Sequence, residues 1–252
     1  MVISSISDAI ENNSDLVKKA LEASKSEEDR FTALNNAAFN SGIFIHIPRN
    51  FILEKPIYFL TCLSEDGHST ISRNVIFADE NSKATVVQEL YSPKIQTQQA
   101  YLELMNTNVG DNAQLDVTTL QMLDQSAVTF STKRTDLGQD AKVNWYSGLF
   151  GSMLSRYKIE YFLNGTGASS NDSEVVFGNN EQSFDIQTNV NHESPATEGR
   201  VVEKSILRNK SKSLFKGMDP YIVGKVGFFA SCFSLSVYRV FEIGRASCRE
   251  RV

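Results

Sequence analysis

The sequence predicts a mainly β chain, built as a β-helix with a short helical cap at its N-terminus. Three observations predict it. Apolar residues recur at helical spacing in roughly the first forty positions. From Gly42 onward they alternate, as in strands. Within the alternating region a polar turn followed by alternating apolar residues returns at a near-constant interval.

The cap, residues 1–41, comes first. Ile6, Ile10, Leu16, Val17, Ala20 and Leu21 recur roughly at helical spacing, and Asn13 or Ser14 can cap the second of two short helices. Ser26-Glu-Glu-Asp29 reads as a capping box that opens a helix through Phe31, Leu34 and Ala38, with Gly42 as its stop.

The β-core, residues 42–218, follows. Ile43, Ile45 and Ile47 alternate with Phe44, His46 and Pro48, and the chain then stays rich in Val, Ile, Thr, Phe and Tyr, punctuated by Gly, Asn and Asp. Glu80-Asn-Ser-Lys-Ala-Thr-Val86, Asp111-Asn-Ala-Gln-Leu-Asp-Val117 and Gln139-Asp-Ala-Lys-Val-Asn-Trp145 are one phrase repeated. Gly110, Gly138 and Gly165 mark turns 28 and 27 residues apart. Units of that length cannot bury an apolar face alone, so they stack and share a core, with two or three short strands per coil. A sandwich of regular hairpins is the competing architecture. Hairpin turns of the Asn-Gly or Asp-Gly type are scarce, and Asp66-Gly67 lies in a loop-like stretch.

The last segment, 219–252, breaks the pattern. Asp219 to Phe241 turns abruptly apolar, and its most apolar run, Val226 to Tyr238, is short of the ~20 residues a membrane helix needs. Residues 242–252 read like a translated adaptor, so the whole tail is expected to be non-native.

Composition excludes several classes. A net charge of −5 without a basic stripe argues against nucleic-acid binding. The N-terminus shows neither a positive n-region nor an apolar h-region of a secretory signal. Of three cysteines, Cys232 and Cys248 fall in the tail, which leaves Cys62 and excludes both a disulfide framework and a four-cysteine zinc site. A Gly-x-x-x-x-Gly-Lys-[Ser/Thr] loop is missing, so the chain is not itself a P-loop ATPase.

No residue stands out as catalytic, and none as a metal ligand. His46, His68 and His192 are too far apart in sequence to read as a metal motif. His46 is expected to face away from Ile45 and Ile47, His68 to lie in a loop, and His192, beside Glu193, to be exposed. Cys62, after Phe59-Leu-Thr, reads as a buried structural thiol. The carboxylate pairs Glu28-Asp29, Asp79-Glu80 and Asp172 with Glu174 read as solvated turn residues. The competing use for them is a β-helix carbohydrate-active enzyme, lyase or glycosidase, which sets two carboxylates across a groove.

Several phrases, in order, resemble one family. They are Arg30-Phe-Thr-Ala-Leu-Asn-Asn-Ala-Ala-Phe39, Gly42-Ile-Phe-Ile-His-Ile-Pro48, Leu53-Glu-Lys-Pro-Ile57, Arg73-Asn-Val-Ile-Phe-Ala-Asp79, and the stretch from Asn191 to Met218 that ends Ser211-Lys-Ser-Leu-Phe-Lys-Gly217. Together they resemble the SufB/SufD family of iron–sulfur cluster assembly scaffolds, closest to the SufD branch. The resemblance implies a right-handed parallel β-helix and a non-catalytic role. It implies partnership with a SufB-type subunit and a SufC-type ABC ATPase, and a place in the cytoplasm, or in the plastid stroma if the chain is eukaryotic. The family's cluster-related and ATPase-contacting residues lie beyond residue 218, where the match stops. None is therefore carried over, cofactor-binding residues stay unknown, and the chain reads as C-terminally truncated. The cluster would be assembled by the complex, not bound by this chain alone.

Overall fold

A computed structural model describes residues 1–22, 29–64, 67–94 and 96–218, together with the backbone of 227–236. It is mainly β, with 58% of the chain in strands, and forms a parallel β-solenoid of about six turns. Each turn contributes two strands, one to each of two sheets. Sheet A runs β1 (Val2–Ser5), β2 (Ile43–Ile47), β4 (Ser69–Ala78), β6 (Gln99–Val109), β8 (Ala127–Leu137), β10 (Leu154–Leu163), β12 (Ser183–His192) and β14 (Lys212–Met218). Sheet B runs β3 (Ile57–Cys62), β5 (Lys83–Tyr91), β7 (Gln114–Met122), β9 (Lys142–Leu149), β11 (Ser169–Gly178), β13 (Glu198–Leu207) and β15 (Gly227–Ser236). Every pairing is parallel except β1 with β2. That connectivity excludes the hairpin sandwich.

The inter-coil register explains the repeat. Ile57, Val86, Val117, Trp145, Asp172 and Val201 occupy one rung position in successive coils of sheet B. One corner of every coil holds a residue in the left-handed region: Asn50, Asn81, Asn112, Asp140, Gly167 and Ala196. In the repeated phrase it is the second residue, Asn or Asp, because a short polar side chain tolerates positive φ. Gly165 has a different task. A Cβ there would lie 2.1 Å from the Gln139 amide nitrogen, so glycine lets consecutive coils touch at that corner. Ala196, exposed at φ +57, is the one alanine in the corner series. Ala196→Gly is expected to raise unfolding free energy by about 0.5–1 kcal/mol, because alanine bears the steric cost of this conformation. A chemical denaturation midpoint that does not rise would contradict that.

The N-terminal segment covers the outer face of sheet A. α1 (Ile6–Asn12), α2 (Ser14–Glu22) and α3 (Arg30–Ala38) are its helices. Ile6, Ala9, Val17 and Ala20 pack on Phe44, Val75 and Phe77. In α3, Phe31 stacks on Phe130 at 4.4 Å and Arg156 pairs with Asp29 at 2.8 Å. Three expectations change here. Residues 2–5 form β1 rather than helix, pairing with β2 from Val2↔His46 to Ser5↔Ile43. The α3 box is Asp29 with Thr32, each side chain accepting the other's amide, while Ser26 to Glu28 lie outside the described residues. Gly42 stops no helix, since α3 ends at Ala38; it sits at φ +147 where a side chain would strike the Arg73 carbonyl.

At the other end, β15 continues sheet B in register with β13, Glu198↔Gly227 to Leu207↔Ser236. The rest of the tail, 219–226 and 237–252, lies outside the described residues.

Candidate functional site

The unusual part of this solenoid is its interior. Strand alternation sends every second residue inward, and the parallel register stacks those residues into columns. Most columns are apolar, but some are polar. In sheet B the column Gln88, Thr119, Ser147, Glu174, Glu203 runs along the core. Across from it, sheet A contributes Ser72, Glu103, Ser131 and Tyr157 in one column, and Asn74, Met105 and Lys133 in the next.

Two charged centres result. The first joins Glu103 and Lys133, both fully enclosed, at 3.0 Å. The Glu103 carboxylate also accepts from Asn74 Nδ2 (2.7 Å), Ser131 Oγ (2.6 Å) and Gln88 Nε2. The Lys133 ammonium donates to Gln88 Oε1 at 2.7 Å and lies 5.5 Å from the Trp145 ring centroid. Burial alone would raise the Glu103 carboxyl. Lys133, with the Ser131 and Gln88 donors, outweighs it and holds the group below its usual value. Burial pulls the Lys133 ammonium down, against the attraction of Glu103.

The second centre is a cluster of acids. Asp172 and Glu174, each 1% exposed, point inward from β11, and Glu203 follows from β13. Asp172 occupies a column otherwise built from Ile57, Val86, Val117, Trp145 and Val201. Burial pushes its carboxyl up to about 7; the Tyr161 hydroxyl and the Ser173 amide offset that only in part. Glu174, with Thr188 Oγ1 donating at 3.0 Å, is raised well above the usual range by burial and then by the charge of Asp172. Tyr157 and Tyr161, also enclosed, are raised by burial and by Asp172. Burial and mutual repulsion therefore favour the protonated forms of the acids in this centre.

The interior also holds a small cavity of about 10 Å³, room for a single water. Tyr101, Thr119, Gln121, Thr129, Ser131 and Tyr157 are among the residues that line it. Ser147 and Tyr157 hydroxyls meet beside it at 2.7 Å. The arrangement can hold charge and protons on a fixed backbone. It cannot receive a macromolecular substrate.

The candidate residues distribute as follows. His46 faces away from Ile45 and Ile47, stacks on Phe77, and contacts Asp79 through Nε2 at 2.8 Å. His68 is an exposed loop residue. His192 is not exposed: it is fully buried in β12, with Nδ1 2.7 Å from Thr197 Oγ1. Cys62 is not buried: strand alternation turns Tyr58, Leu60 and Cys62 outward while Ile57 goes in. Asp79 and Glu80 are turn residues as expected, and Glu80 pairs with Arg49 at 2.7 Å. Asp172 and Glu174 overturn the turn assignment altogether, because they sit mid-strand inside the coil. Enclosed there, they offer no groove to a polysaccharide.

Sequence reasoning missed Glu103 and Lys133. The available signal was parity: counting by twos from the buried Ala127 places Lys133 inward. Among the described residues no group of three or more His, Cys, Asp or Glu is arranged to hold a metal ion, and no helix is long and apolar enough to cross a membrane.

Two family models match the chain. One, described as the SufBD protein N-terminal region, covers residues 1–59. The other, described as SUF system FeS cluster assembly, SufBD core domain, covers residues 61–219. Among curated relatives, an iron–sulfur cluster assembly SufBD family protein of Staphylococcus aureus (strain USA300) is 26% identical over 211 residues, which is 83% of this chain and 45% of the relative. One from Staphylococcus epidermidis is 27% identical over 191 residues, 76% of this chain and 41% of the relative. The chain thus spans less than half the length of these relatives.

Proposed function

The chain belongs to the SufBD family of SUF-system iron–sulfur cluster assembly proteins, and on that premise we propose that it is a non-catalytic scaffold subunit. In this reading it pairs with a SufB-type subunit and an ABC-type ATPase of the SufC kind, in the cytosol or the plastid stroma, and the cluster is the complex's product. The SufD branch is the closer fit, on the Phe31-Thr-Ala-Leu-Asn35 phrase.

The observation that carries the proposal is that the N-terminal and core family models match residues 1–59 and 61–219 in order, over the helical cap and the solenoid that it covers. A solenoid suits a scaffold physically. Its coils contact only their neighbours, so it is stiff along its axis, and its terminal strand offers unpaired backbone groups. Among the described residues β14 is such an edge in sheet A, ready for a partner strand to extend. The polar interior stiffens the coil rather than reacting.

Co-expression with a SufB-type subunit and a SUF ATPase, followed by affinity capture of this chain, tests the reading. A complex retaining all three through size exclusion is expected. If the other two assemble while this chain elutes alone, the scaffold role is lost and only the fold and family remain.

A further inference from the structure

The outer face of sheet B is divided into rows that run along the solenoid axis. A polar row, Thr85, Asp116, Asn144, Asn171 and Arg200, crosses it. Asn144 Nδ2 donates to Asp116 Oδ1 at 2.6 Å and Asn171 Nδ2 to Asn144 Oδ1 at 3.0 Å, so three of its side chains link into a ladder. Near the corner where sheet B leads into sheet A the character changes. Cys62, Tyr91, Met122, Phe150, Phe177 and Ile206 stack there in one outward row. Cys62↔Tyr91, Tyr91↔Met122 and Phe177↔Ile206 set it, and Phe150 follows the Gln121↔Leu149 and Val176↔Leu149 pairs. Cys62 is exposed, and each of the other five is at least 37% exposed. One row further in stand Leu60, Glu89, Leu120, Gly148, Val175 and Lys204. Gly148 makes room for the Phe150 ring, since a Cβ there would lie 2.7 Å from Phe150 Cε2.

The apolar band is therefore two rows wide. Six rungs at about 4.8 Å and two rows of about 6 Å give it roughly 300 Å². A patch of that size on a single chain is often functional, yet it is well short of the ~800 Å² per partner of a stable interface. Its shape fits one rod about 10 Å across. An α-helix is such a rod, and its pitch of about 5.4 Å sets one apolar side chain per turn close to one per rung.

One end of the band is strongly charged. Residues 204–212 hold Lys204, Arg208, Lys210 and Lys212 and no acid, in a chain whose net charge is −5. All four are exposed. Lys210 reaches Glu181 of the preceding coil at 3.4 Å, but both side chains are more than three-quarters exposed, so that pair is weak and open to exchange. We propose that the band docks an amphipathic helix of a partner protein, apolar along one face and acidic at the end that lies over 204–212. The apolar rows supply the contact, and the basic corner fixes its direction. The contact goes beyond the scaffold pairing and leaves β14 unused.

The probe is a stapled helical peptide of about 16 residues, long enough to span the band, with leucines at i, i+4, i+7 and i+11 and glutamates in its C-terminal turns. Fluorescence anisotropy with the full chain should show micromolar binding. Phe177→Glu should weaken it about tenfold or more, and Arg208→Glu combined with Lys212→Glu by a similar factor. A peptide with lysines in place of the glutamates should bind the parent chain poorly and the doubly reversed chain well. These side chains face outward, and a circular dichroism melt verifies that each variant folds. Cys62, at the far end of the row, reads direction in a Cys232→Ser, Cys248→Ser background. In a glutathione redox buffer, a cysteine at the peptide's N-terminus should form a disulfide with it, and one at the acidic end should not. Absent binding, binding indifferent to Phe177→Glu, charge reversal without rescue, or cross-linking from the acidic end would each overturn the proposal. So would a dimer in light scattering that Phe177→Glu dissolves, since a second copy would then occupy the band. Capture of the SUF partners reads a different contact, so either result can fail alone.

Discussion

Lys133→Met is expected to destabilise the fold by about 3–5 kcal/mol, the usual cost of leaving one member of a buried ion pair uncompensated. Glu103 cannot escape to solvent, since its side chain has no exposure. It would either stay ionised, with only neutral donors from Asn74, Gln88 and Ser131, or take up a proton and lose part of that acceptance. Methionine fills the lysine volume against Met105 and Trp145, so the loss reads charge rather than a cavity. Adding Glu103→Gln should recover most of the stability, because the amide keeps an acceptor for two of the donors and removes the orphan charge. A double-mutant cycle by urea denaturation measures the coupling. A loss below about 1 kcal/mol for Lys133→Met would show that the pair is electrostatically idle.

Stability should also fall as pH rises from about 5 to 8, with Asp172 as the main cause. Its folded-state carboxyl titrates near 7 against an ordinary value of 3.8. The folded state therefore binds the more protons between those values, and unfolding free energy declines across that window. Three units correspond to an upper bound of about 4 kcal/mol, so a fall of roughly 2–4 kcal/mol is expected. Glu174, raised in the same direction, extends the decline above neutrality. Glu103, Asp29 and Asp124 act oppositely. Held low in the fold, they contribute stability that is present above pH 4 and lost on acidification below it. A maximum near pH 5 follows. Asp172→Asn keeps the shape without the charge. It should be nearly neutral at pH 5 and stabilising at pH 8. If the variant is instead less stable than the parent at pH 8, the ionised carboxylate has a stabilising partner in the fold and Asp172 is not the cause of the decline.

Much of this architecture was legible in the chain. The change of period at Gly42 falls at the start of β2, and the Asn/Asp phrases 80–86, 111–117 and 139–145 fall on successive corners. The interior was not legible. Asn171-Asp-Ser-Glu174 has the composition of a turn, and Phe59-Leu-Thr-Cys62 that of a buried strand, yet the first is the more enclosed. The misreading has one cause. Composition averages over both faces of a strand, while burial belongs to one face only.

By itself the sequence determined the coil. Each corner needs a residue that tolerates positive φ, and Gly165 must let one turn touch the next. Such needs are met within a few residues, so they print as a period. Only the tertiary structure decided what the coils enclose and what they leave open. Whether Lys133 meets Glu103, or Asp172 enters an apolar column, depends on strands some thirty residues apart sharing one register. Whether a face of the solenoid is roofed or bare depends on where α1 to α3 land. Those contacts are non-local, and a strand's own residues carry no record of which neighbour will stack above them.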